Sequence, residues 1–174
     1  MLFLSPTRGM LSLEDVAYDI LRERSTHADA DYKLVVGTDS QLHGNGSVAT
    51  FVTAIILHRA GRGARYFVHK SIHEHLYSLR QRMFTEAALS LQTSGQLMEQ
   101  LQSRSQQEAF PISHFPARYS SEWHVEVHLD MGERGETKQW IREIVAWIEA
   151  NGYEVRIKPD SYGASTVADR YTKH

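Results

Sequence analysis

A chain of 174 residues is long enough to bury one sizeable core and short for two, so a single domain over residues 1–174 is expected. Hydrophobic residues make up 41% and charged residues 23%, which excludes a disordered or fibrous chain, and the lack of cysteine excludes disulfide frameworks and thiolate metal sites. A net charge of -2 argues against a broad nucleic-acid-binding surface; no apolar run reaches the roughly 18 residues that span a bilayer, so a cytoplasmic protein without membrane attachment is expected.

Behind Ser12, the apolar residues Leu13, Val16, Ala17, Ile20 and Leu21 recur at helical spacing. Asp15 stands three residues after Ser12, and together they predict a capped amphipathic helix that ends near Ser25. Tyr32 to Thr38 carries the run Leu34, Val35 and Val36 and predicts a strand leading into Asp39, Ser40 and a turn at Gly44, Asn45 and Gly46. Ser47 to Leu57 and Ala64 to Ile72 predict two further strands either side of a turn at Arg59 to Gly63, giving an antiparallel meander. Arg59, Arg62 and Arg65 in that turn, and Arg80 and Arg82 further on, are local basic clusters that read either as anion handles or as solvated faces.

From about Leu76 the period becomes helical, through Leu79, Met83, Phe84, Ala87 and Leu91 toward Leu101, with Gly95 a point of interruption. A polar tract from Gln102, containing Pro111 and Pro116, reads as a loop. Trp123 to Leu129 alternates as a fourth strand, with Trp123, Val125, Val127 and Leu129 on one side and His124, Glu126, His128 and Asp130 on the other. Ile141, Ile144, Val145 and Ile148 predict a helix stopped at Asn151 and Gly152, Tyr153 to Ile157 a fifth strand, and Ala164 to Tyr171 a closing helix. Trp123, Trp140 and Trp147 each fall beside an apolar run and are expected in the core.

The order after the first helix is therefore βββαβαβα, and the later helices must serve as crossovers to parallel strands. This ordering is that of an α/β, ribonuclease H-like mixed five-stranded sheet flanked by helices, here with an extra N-terminal helix. On that fold the first and fourth strands are parallel central neighbours, which brings Asp39 and Asp130 together near their carboxyl ends. Crowded carboxylates raise each other's proton affinity, and a hard divalent cation relieves the repulsion. Glu86 borders the apolar face of the long helix, where it either looks down on the sheet edge or stays a solvated glutamate. For a last carboxylate there are two candidates. Asp160 follows the fifth strand, where it can equally cap a helix, and Asp169 lies in the closing helix, where it can equally pair with a surface cation.

The stretch Gly37-Thr38-Asp39-Ser40-Gln41 resembles the YkuK-like family of bacterial ribonuclease H-like proteins. The resemblance runs nearly end to end, through Ser5-Pro6-Thr7-Arg8-Gly9, His128-Leu129-Asp130-Met131-Gly132, Lys158-Pro159-Asp160-Ser161-Tyr162 and Val167-Ala168-Asp169-Arg170-Tyr171-Thr172. It implies the fold and, by extension, a two-metal nuclease site with Asp39, Glu86, Asp130 and one of Asp160 or Asp169 in the acidic positions. The chain departs from true ribonucleases H in carrying no separate basic handle for an RNA–DNA hybrid, so the nucleic acid, RNA or DNA, stays open.

In such a site Asp39 is expected to bridge two Mg²⁺ or Mn²⁺ ions roughly 4 Å apart, with the other acids completing their shells. No covalent nucleophile is needed, so Ser40 is expected to orient the turn or to hydrogen-bond a ligand. Two rival readings stand beside this one. A non-catalytic member of the fold would bind nucleic acid or protein without metal. Alternatively, His69, His73 and His75, on one side of an extended chain, would form a zinc site, although a short polar connector is the plainer reading of that stretch. His124 and His128, on Asp130's side of the fourth strand, read as auxiliary ligands, as proton carriers or simply as a partly wet sheet face.

Overall fold

Branched residues drive the three longest strands, β3 (Tyr32–His43), β4 (Val48–Arg59) and β5 (Gly63–His73), into the expected antiparallel meander. The computed structural model describes residues 1–27, 29–44, 47–76, 78–107, 123–132, 137–161, 166–167 and 170–171. β6 (Val125–His128) joins β3 in parallel, Leu34 opposite Val125 and Gly37 opposite His128. β7 (Glu154–Arg156) then joins β6, also in parallel. Helices α2 (Leu79–Gln107) and α3 (Lys138–Ala150) lie in the connections that lead to these two strands, as parallel pairing requires. The central order β5-β4-β3-β6-β7 is the ribonuclease H-like arrangement expected from the element order.

Among the described residues the sheet has seven strands rather than five. A hairpin of β1 (Leu2–Ser5) and β2 (Gly9–Ser12) extends it beyond β5, giving the order β2-β1-β5-β4-β3-β6-β7. Its pattern was hidden because each strand is four residues long and apolar on both faces, with Phe3 fully buried and Leu2, Leu4 and Met10 exposed. Gly9, at φ 74, supplies the left-handed residue where the turn re-enters the sheet.

Helix α1 (Leu13–Thr26) starts on the predicted capping box: the Asp15 amide donates to Ser12 Oγ, and the Ser12 amide donates back to the Asp15 carboxylate. Helix α2 runs unbroken through Gly95. Burial of Leu97 and Leu101 beyond that glycine outweighs its intrinsic cost of about 1 kcal/mol in a helix.

One sheet face buries Leu34, Val36, Ile55 and Leu57 beneath Ile20 of α1 and Leu97 of α2. Toward β6 the same layer continues as Met83, Ala87, Val127, Leu129, Ile141 and Ile144, where the first half of α2 meets α3. The opposite face holds Val35, Val52, Ala54, Ile56 and Val68, against which Tyr66, Val167 and Tyr171 pack. Trp123 and Trp140 are partly buried as expected, but Trp147 is 38% exposed, because Ile144 and Ile148 already fill the inner face of α3.

The arginines of the β4–β5 turn are largely structural. Arg65 reaches Asp19 at 3.2 Å and Glu23 at 2.7 Å, Arg59 reaches Glu23 at 3.4 Å, and Arg8 joins Asp19 at 3.0 Å, so α1 is tied to the sheet by its own carboxylates. Among the described residues, no helix is long and apolar enough to cross a membrane.

Candidate functional site

Strand register sets the first acid. β3 pairs in parallel with β6 only as far as Gly37, so Asp39 lies two residues past the last parallel pair, still held against β4 opposite Val52. β6 ends at His128, and Asp130 lies two residues beyond it. Both aspartates therefore emerge at the carboxyl end of the central parallel pair, as the element order predicts. Glu86 arrives from the other direction. Met83 and Ala87 anchor its turn of α2 in the core over β6, which turns Glu86 inward and leaves it 7% exposed. The three acids line one cleft of about 210 Å³, together with Ser40 and Arg82 and backed by Met83 and Ile141.

The cleft is strongly polarised. Burial pushes the Glu86 carboxyl up to about 8, and the charges of Asp39 and Asp130 push the same way, against the Ser40 hydrogen bond and the Arg82 guanidinium. Glu86 is therefore a neutral acid at pH 7, with Ser40 Oγ–H donating to its Oε1 at 2.5 Å. Ser40 thus holds an acid of the same cleft. Lys158 Nζ, two residues past the end of β7, lies 2.8 Å from Asp130 Oδ1 and brings a cation to it.

Beneath the cleft a chain of buried hydroxyls fixes the helix on the strand. Thr53 and Thr38 are bonded at 2.9 Å, Ser90 meets Thr38 at 3.0 Å, and Ser90 Oγ also lies 2.8 Å from the Glu86 carbonyl oxygen. These contacts set the height of α2 along β3 and hence where Glu86 sits. One step back along β6, Glu126 and His128 are buried rather than partly wet. Burial works to raise the Glu126 carboxyl, but hydrogen bonds and charge from Lys33 at 2.7 Å and His128 at 3.0 Å hold it below its usual range. Burial pushes the His128 imidazole down, against the pull of the Glu126 carboxylate; because a carboxylate only accepts, Nε2 is the donor in their bond.

The remaining candidates separate. Asp160 is exposed in the turn after β7, its amide bonded to the Ile157 carbonyl at 2.8 Å, and it does not line the cleft. Asp169 lies outside the described residues. The zinc reading does not assemble: His69 Nδ1 is bonded to the Leu2 carbonyl at 2.8 Å, while His73 packs edge-on against Phe51 and bonds Ser71. Among the described residues no three carboxylate or imidazole groups converge as a ready-made metal cage. The donor set of the cleft nonetheless suits a hard divalent cation, since Asp39, Glu86 and Asp130 offer only oxygen and their charges already act on one another.

The sequence marks Arg82 only as part of a local basic cluster; its place one helical turn before Glu86 is what ties it to the acids. Lys158 had no local signal beyond its place in the Lys158-Pro159-Asp160 motif.

The family profile described as "Ribonuclease H-like" matches residues 15–173. The chain is also similar to the Bacillus subtilis (strain 168) protein named "Uncharacterized protein YkuK", with 31% identity over 173 residues, covering 99% of this chain and 97% of that protein. No solved structure matches the chain.

Proposed function

The chain belongs to the ribonuclease H-like family, on its YkuK-like branch, and from that premise we propose that it is a divalent-metal-dependent nuclease, hydrolysing phosphodiester bonds by a two-metal mechanism. One observation carries the reading: carboxylates from three separate elements, Asp39 on β3, Glu86 on α2 and Asp130 after β6, line a single cleft at the carboxyl end of the central strands. Three acids lining one cleft raise one another's proton affinity, a cost that a bound cation would offset.

In this proposal Asp39, Glu86 and Asp130 hold Mg²⁺ or Mn²⁺. Asp169 is the better candidate for a fourth carboxylate, because Asp160 is turned out to solvent while Val167 and Tyr171, either side of Asp169, pack on the sheet face that carries Val35 and Val52. When bound, the metal supplies an activated water and neutralises charge on the phosphate. Ser40 orients the Glu86 carboxyl through its hydrogen bond, and Arg82 places a positive charge on the cleft wall where an anionic backbone would enter. Lys158 keeps Asp130 paired in the protein as described.

The test is cleavage of a panel of single- and double-stranded RNA and DNA with Mg²⁺ or Mn²⁺, comparing the protein with its Asp39→Asn variant. Metal-dependent cleavage lost in the variant is expected; cleavage that survives undiminished overturns the assignment. The second reading, a nucleic-acid-binding module without catalysis, draws on the pairing of Asp130 with Lys158. Calorimetric titration with Mn²⁺ separates the two, since that module takes up no metal at millimolar concentration.

A further inference from the structure

We infer that Lys158 is the resident counter-ion of the cleft: its ammonium holds Asp130 in the metal-free protein and must leave before a divalent cation can use that carboxylate, so Lys158 sets the affinity for metal. The inference rests on the nuclease reading of the site, because it concerns how the site is loaded.

The contact itself is short, with Nζ 2.8 Å from Asp130 Oδ1. It is also built into the backbone. The β6–β7 pairing continues past both strands, the Leu129 amide donating to the Arg156 carbonyl at 2.9 Å and the Lys158 amide donating to the Met131 carbonyl at 3.0 Å. Lys158 is thereby strapped to the residue that follows Asp130, and its side chain begins beside the carboxylate whatever its tip does. An ammonium on one carboxylate oxygen and a divalent cation on the same group repel strongly over a few ångströms, so the two are alternatives. Departure is easy for Lys158, whose side chain is 56% exposed on a flexible stem, and hard for Asp130, which lies two residues past β6 between the Leu129 and Met131 backbone bonds to the β7 segment. Only the Asp130 end is buried, the ammonium stem being exposed, so the pair is a partly exposed one and acts as a brake on metal entry rather than a block.

Calorimetric titration of Mn²⁺ into the full chain tests this, with three proteins compared at one salt concentration: the native sequence, Lys158→Met and Arg80→Met. Methionine keeps the length of the lysine stem and removes its charge. Arg80 also precedes the cleft on α2, but its partner is Glu143, at 3.3 Å, so its removal lowers the local positive field without relieving Asp130. Lys158→Met is expected to bind Mn²⁺ roughly two- to fivefold more tightly than the native chain, the range an exposed ion pair allows, while Arg80→Met stays close to native. Circular dichroism confirms that the variants fold. If the native chain binds metal and Lys158→Met binds it no better, the counter-ion role is overturned and the nuclease reading stands. Equal tightening by both variants also overturns it, leaving only a general field effect. If none of the three binds metal, the nuclease reading falls, and the inference with it.

Discussion

Replacing Glu86 by glutamine should make the protein more stable at neutral pH, by an amount that grows as the pH rises. The wild-type carboxyl ionises near 4.5 in the unfolded chain and at about 8 in the folded one, chiefly because it is buried. Below about pH 4.5 both states carry the proton, and Glu86 adds no pH dependence. Between 4.5 and about 8 the folded state keeps a proton that the unfolded state has released, so folded stability falls with rising pH, by about 1.4 kcal/mol per unit in the middle of that window. Over the interval from pH 5 to pH 7 the loss amounts to roughly 2 to 3 kcal/mol, or about 5 to 10 °C in Tm for a chain of this length. Glutamine has nearly the same shape, keeps an oxygen to accept from Ser40, and never ionises. Urea denaturation of both proteins at pH 5, 6, 7 and 8, followed by tryptophan fluorescence, gives the stability difference directly, and other titrating groups cancel in it. That difference should rise in favour of Glu86→Gln from pH 5 to pH 7 and level off above pH 8. A difference that stays flat across the window would falsify the claim that Glu86 is buried as a neutral acid among Asp39 and Asp130.

Asp19→Asn removes the charge that gathers Arg8 and Arg65 onto α1. Because both arginines are partly exposed, the expected loss is about 1 to 2 kcal/mol, and thermal melts should show the deficit shrinking as salt is raised. Gly95→Ala should act in the opposite direction: an added Cβ would meet only Tyr153 Oη, at 3.7 Å, so a gain of roughly 0.5 to 1 kcal/mol from helix propensity is expected in the urea midpoint, and a loss would show that the α2 backbone needs glycine there.

The fold was legible because its largest elements repeat a period over many residues. β3, β4 and β5 are each 11 or 12 residues of branched and aromatic side chains, and α2 and α3 keep an apolar stripe long enough to be read without ambiguity. The N-terminal hairpin failed that test, since four residues do not establish a period when Leu2, Phe3 and Leu4 are all apolar. The end of β3 was also misplaced. Thr38 was read as its last residue, yet the strand runs on to His43, because Gln41 and Leu42 pair with Thr50 and Ala49 across a ladder that no local signal announces.

For the cleft the division is physical. Asp39 and Asp130 could be placed from chain order alone, because a parallel crossover leaves little choice about which strand ends meet. The groups that neutralise them could not, since their contacts depend on how far a helix or a turn slides against the sheet. Glu86 reaches Ser40 because the Thr38–Ser90 hydroxyl contact fixes the height of α2, and Lys158 reaches Asp130 because its amide bonds beyond the end of β6. Both positions follow from side-chain and backbone bonds between elements far apart in sequence, for which a single sequence carries no spacing rule. The acids are therefore a property of the topology, whereas the state in which they wait is a property of the packing: one proton on Glu86, one ammonium on Asp130 and a guanidinium on the wall. On the proposed reading of the cleft as a metal site, a change confined to Lys158 or Ser90 would retune its loading without moving an acid, so three shared carboxylates would not by themselves fix an affinity for metal.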